Sequence, residues 1–185
     1  MSGILGGLIG SFATALTSSY ESIATVTVGS GGASSVTFSS IPGTYKHLQI
    51  RAVIKSTNTN NGSNWLLTAN SDTANNYAVH QLYADGSTVG SNGTASYGYA
   101  YGNQTTGTSN TNIFAVSIMD IFDYSNTNKY KTFRCIGGYD LNGSGDINYR
   151  SSLWMSTSAI TNINIIANGW NLAQYSSFAL YGVKG

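Results

Sequence analysis

From Glu21 onward apolar and polar residues alternate with a period of two, and the alternation returns in segment after segment until the C-terminus. Ala24, Val26 and Val28 alternate with Thr25 and Thr27, and the turn-forming run Gly29-Ser30-Gly31-Gly32 leads to Val36 and Phe38. This pattern predicts a hairpin. The single proline, in Ile41-Pro42-Gly43, marks a turn before a strand over Tyr45 to Lys55 with Leu48, Ile50, Ala52 and Ile54 facing inward. Lys46 shares their parity and needs an edge or end position to reach water. Further strands are predicted at Trp65 to Ala69, Tyr77 to Tyr83, Ile113 to Phe122, Tyr130 to Ile136, Ile147 to Met155, Ile160 to Ile166 and Ser177 to Val183. Nine or ten short strands separated by Gly, Asn, Asp and Ser clusters predict one all-β domain over 21–185, an antiparallel β-sandwich or barrel. Val26, Phe38, Leu48, Ile50, Ile54, Phe133 and Leu180 are its expected core.

The first twenty residues break the pattern. Met1 to Thr17 carry no charge, and Ile4, Leu5, Leu8, Ile9, Phe12 and Leu16 fall on one stripe at helical spacing. Gly3, Gly6, Gly7 and Gly10 would weaken a free helix, each interior glycine costing about 1 kcal/mol relative to alanine. The segment is therefore expected to be a helical or extended anchor that orders in a groove of a larger assembly. Covering the domain's own core is the alternative. A secretory leader would carry a basic start, whereas the first lysine is Lys46, and a membrane span needs about 20 mainly apolar residues.

Composition narrows the function. Of 185 residues, 41% are apolar and 12% aromatic, enough for a sizeable core. Only 8% are charged, against roughly a quarter in ordinary soluble domains. A net charge of +1 supplies neither the phosphate-neutralising surface that nucleic acid requires nor a polybasic membrane face. Cys135, the one thiol, lies in an apolar-alternating stretch and reads as core, and with two distant histidines, His47 and His80, it makes no zinc site. No nucleophile elbow, phosphate-binding glycine loop or zinc-protease motif occurs, and Asp120 and Asp123 would point to opposite faces of a strand. A non-enzymatic protein without a cofactor is expected.

Two stretches carry possible recognition chemistry. Asp140-Leu141-Asn142-Gly143-Ser144-Gly145-Asp146 begins like a calcium loop, but position twelve is Ser151 where a bidentate glutamate belongs, so an Asn/Gly hairpin loop is the expectation. Asp85 to Asn112 is rich in Gly, Ser, Thr and Asn and reads as an extended loop. Its Tyr97, Tyr99 and Tyr101 could meet carbohydrate or protein with flat apolar rings and polar tips. In the alternative the rings simply pack in a hairpin.

Several strings taken together resemble a family of tailed-bacteriophage virion proteins. They are Phe38-Ser39-Ser40-Ile41-Pro42-Gly43-Thr44-Tyr45-Lys46-His47-Leu48, then Asn75-Asn76-Tyr77-Ala78-Val79-His80-Gln81-Leu82-Tyr83-Ala84-Asp85-Gly86-Ser87. The run Asp120-Ile121-Phe122-Asp123-Tyr124 with Lys129-Tyr130-Lys131, and the ending Phe178-Ala179-Leu180-Tyr181-Gly182-Val183-Lys184, complete them. The resemblance implies a structural particle component with a jelly-roll-like sandwich: a short tail fibre or tail appendage, with capsid decoration as the alternative. It also implies a homotrimer, other phage proteins as partners and a host-surface glycan as a further contact. A cellular carbohydrate-binding module is the remaining alternative.

Overall fold

The computed structural model describes residues 18–185, so the anchor positions Ile4, Leu5, Leu8, Ile9, Phe12 and Leu16 lie outside the described residues. Twelve strands follow one another: β1 (Tyr20–Thr27), β2 (Ser35–Phe38), β3 (His47–Ile54), β4 (Ser63–Ala69), β5 (Tyr77–Ala84) and β6 (Val89–Tyr97). The second half comprises β7 (Ala100–Thr105), β8 (Ala115–Phe122), β9 (Lys131–Asp140), β10 (Gly145–Trp154), β11 (Ile163–Ala167) and β12 (Ser177–Val183). Among the described residues no helix occurs, and hence none long and apolar enough to cross a membrane.

The strands form two antiparallel sheets. One has eight strands in the order β1-β12-β3-β8-β9-β10-β5-β6, the other four in the order β2-β11-β4-β7. Four of the pairings nest inside one another: β1 with β12, β2 with β11, β3 with β8 and β4 with β7. The hairpins β5–β6 and β9–β10 stand outside this nest and widen the large sheet by four strands.

Period-two alternation sends one side of each central strand into a shared core. Leu48, Ile50 and Ile54 of β3, Met119 and Ile121 of β8 and Leu180 of β12 meet Leu67, Ile163, Ile165 and Phe38 from the smaller sheet. Trp65 and Phe178 cross the gap edge to face, ring centroids 6.3 Å apart. Of the expected core, Phe38, Leu48, Ile50, Ile54, Phe133 and Leu180 are buried, as is Cys135. Val26 is only half-buried, because β1 is an edge strand.

Two expectations are corrected. The stretch from Ala24 to Phe38 is not a hairpin: β1 pairs with β12 in one sheet and β2 with β11 in the other. The glycine run instead carries the chain between sheets. Gly32, at φ +75°, passes so close to the Leu172 carbonyl that a Cβ there would stand 2.7 Å from its oxygen. The second correction concerns Asp85 to Asn112, which holds the strands β6 and β7 within what reads as an extended loop. β6 is an edge strand exposed along most of its length, so nothing required it to alternate apolar with polar residues. Lys46 sits just before β3, where its side chain reaches water.

Candidate functional site

The outer face of the eight-stranded sheet is apolar across six strands. Register places Leu82, Tyr149, Ile136 and Ile118 side by side in one cross-strand row, with Arg51 at its end. The next row runs from Val89 through Ala84, Ile147, Gly138 and Val116 to Val53. The eight large apolar side chains in these rows are between 41% and 75% exposed. Together they present roughly 700–800 Å² to water, above the few hundred Å² of contiguous apolar surface usual for a soluble monomer.

This face arises because several strands carry apolar residues at both parities. β8 sends Ala115, Met119 and Ile121 inward while Val116 and Ile118 point outward. Antiparallel sheets with one solvated face ordinarily place polar residues at the outward positions. Leu82, Val89, Ile136, Ile147 and Tyr149 all belong to the two hairpins that widen the sheet. Along one side runs a polar row of Gln49, Asp120, Arg134, Ser151 and His80, in which Gln49 Nε2 donates to Asp120 Oδ1 at 2.8 Å, and Arg51 Nε donates to Gln49 Oε1 at 2.9 Å. The Arg51 guanidinium also lies 5.5 and 5.1 Å from the Tyr20 and Tyr181 ring centroids, within cation–π range.

Behind the added strands the apolar interior, with Tyr77, Phe133 and Trp154, also holds a cluster of buried polar groups. Arg150 is 1% exposed, and its Nη1 donates to Asn64 Oδ1 at 2.8 Å and to the Gly102 carbonyl at 2.5 Å. Nη2 donates to Asn148 Oδ1 at 3.1 Å, and the Tyr101 ring centroid is 5.3 Å from the guanidinium carbon. Lys55 and Lys131 are likewise buried and bonded to backbone carbonyls, those of Asn110 and Thr111 and those of Lys129 and Thr157. Burial pulls both lysines below the usual amine range. Burial also pushes the Cys135 thiol up to about 12, which removes its nucleophilic form at neutral pH.

Tyr97, Tyr99 and Tyr101 are half-buried where the chain crosses from the large sheet to the small one. Tyr97 packs edge-on against Tyr99 and Tyr101, with centroids 5.7 and 5.2 Å apart, and the hydrogen bond with Tyr101 pushes its hydroxyl up to about 12. The Asp140–Asp146 stretch is a hairpin loop closed by Leu141 N donating to Ser144 O at 2.7 Å. Asp140 Oδ1 accepts from the Asn142 N–H, so it serves the turn. Among the described residues no three His, Cys, Asp or Glu side chains are grouped to hold a metal ion.

Asp123 follows β8 in the left-handed region at φ +47°. Its carboxylate pairs with Lys129 and with Lys46, the latter at 2.9 Å, and its backbone N–H donates to His47 Nδ1 at 3.0 Å. The hydrogen bonds from Lys129 and Lys46 hold its pKa at about 2, below the ordinary 3.8. A depressed folded-state pKa contributes stability that is complete above the unfolded value and disappears as pH falls through the folded one. The stability difference between the native chain and Asp123→Asn should therefore shrink from pH 5 to pH 2. Asparagine tolerates the same backbone conformation, so urea unfolding of the pair isolates the charge. A difference independent of pH across that window would contradict the assignment.

The outward apolar positions were the part of the site that alternation alone passed over. Their signal is present in strands apolar at both parities, Ala115 to Phe122 above all. No family model, curated protein or solved structure matches the chain.

Proposed function

We propose that this chain is a non-enzymatic structural component of a tailed-phage particle, a short tail fibre or tail appendage that assembles through packed apolar surfaces. The observation that carries the assembly role is the outer face of the large sheet, with Val53, Val116, Ile118, Ile136, Ile147, Tyr149, Leu82 and Val89 facing water together. Leaving such an area solvated is unfavourable by about 25 cal/mol per Å², and packing it against protein recovers that free energy. The phage assignment rests on the resemblance of the strings between Phe38 and Lys184.

The domain is read as a jelly-roll-like sandwich. With the two hairpins set aside, β1-β12-β3-β8 faces β2-β11-β4-β7, and nested pairing of this kind is what a long two-stranded ribbon gives when it winds into two four-stranded sheets. The added hairpins then supply five of the eight outward apolar residues. In this reading residues 1–17 form a second contact, the anchor to the particle.

Deleting residues 1–17 in the phage that encodes the chain should leave a folded β domain that no longer copurifies with particles. Mass spectrometry of purified particles reads the result. Absence of the native chain from those particles would overturn the structural role, and normal occupancy of the truncated chain would overturn the anchor.

A further inference from the structure

We infer that the outer face of the eight-stranded sheet packs against the same face of a second copy of this chain, an inference that rests on the assembly reading above. Area is the first support. Two copies meeting through these side chains would remove roughly 1,500 Å² from water, the size of a standard stable protein interface. Packing of two sheets face to face, about 10 Å apart, is an ordinary arrangement for twisted antiparallel sheets.

Charge is the second. Arg51 is the only charged residue in the two apolar rows, and it lies at the end of one, held by Gln49 and two tyrosine rings. The face can therefore oppose itself without like charges meeting in its centre. The third support is the distribution of exposed apolar side chains over the rest of the described surface. The remaining large ones, Tyr20, Tyr130, Met155, Trp170 and Tyr175, sit at strand ends and in the β11–β12 connection. A head-to-tail contact would need a second apolar patch of matching size, whereas a two-fold contact uses one patch twice.

The chain's own first residues fit the face less well. In the helical form the thirteen residues from Ile4 to Leu16 would span about 20 Å, while Leu82 lies six strands from β1, about 29 Å away. The apolar rows also lie toward the Thr27 end of β1, opposite the Tyr20 end where the chain enters.

Light scattering of the full chain at micromolar concentration should give twice the 19.5 kDa chain mass. Ile136→Glu and Ile147→Glu, at residues 50% and 58% exposed, should each raise the dimer dissociation constant at least tenfold with the circular dichroism spectrum unchanged. Trp170→Glu, an equal change off this face, should leave the mass as it is. A monomeric native chain, a trimer, or a dimer indifferent to both glutamates overturns the two-fold contact. A chain monomeric in solution yet present in purified particles overturns this contact alone. A dimer absent from particles overturns the structural role and leaves the contact standing.

Discussion

Arg150→Ala is expected to lower the unfolding free energy by about 3–5 kcal/mol, through lost bonds to a charged donor and the buried acceptors left behind. The guanidinium, on β10, reaches Asn64 on β4 and the Gly102 carbonyl on β7, so it joins the added part of the large sheet to the small sheet. Asn148 Oδ1 would also lose its donor. Arg150→Met retains most of the stem's packing, and the difference between the two variants separates packing from hydrogen bonding. Arg150→Lys keeps a charge but not the planar fork that reaches several acceptors at once, and should fall between native and Met. Urea midpoints at unchanged slope give the comparison. A loss below about 1 kcal/mol for Arg150→Ala would show that the guanidinium does not hold the sheets together.

Trp65→Ala should be equally severe, about 3–5 kcal/mol, because the indole is fully buried between the sheets and its truncation leaves a large cavity. One wall of its site is Gly102, where a Cβ would stand 2.0 Å from the ring carbons Cδ2 and Cε2. Gly102→Ala should therefore destabilise by overpacking, about 1–3 kcal/mol, without removing any contact. In the double variant the small residue at 65 relieves the clash, so the two losses should add to less than their sum. Strict additivity would contradict direct packing of Trp65 on Gly102.

Most of the fold is legible in the sequence because alternation marks strands with one buried face. β3 shows this most clearly, with Leu48, Ile50, Ala52 and Ile54 inward. β6 and β7 escape for two different reasons. β6 has little buried apolar surface to impose a pattern, and β7 buries the polar Asn103 and offers its Gly102 carbonyl to Arg150 in place of apolar side chains. Pairing is less legible than existence: a glycine-rich turn after β1 predicts a hairpin, yet the partner of β1 is the last strand of the chain. Arg150 has no local signature as a buried group, since its acceptors on β4 and β7 come from 86 and 48 residues away. The apolar outer face is a tertiary property of the same kind. It emerges only when register aligns Ile118, Ile136, Tyr149 and Leu82 across strands remote in sequence.

An image at side-chain resolution of the phage particle to which the proposed function assigns this chain tests the assembly account most directly. The account predicts that this domain is present and that Val116, Ile118, Ile136, Ile147 and Tyr149 are covered by protein, with a second copy of the same chain across the contact. A domain seated in the particle with that face open to solvent would contradict it.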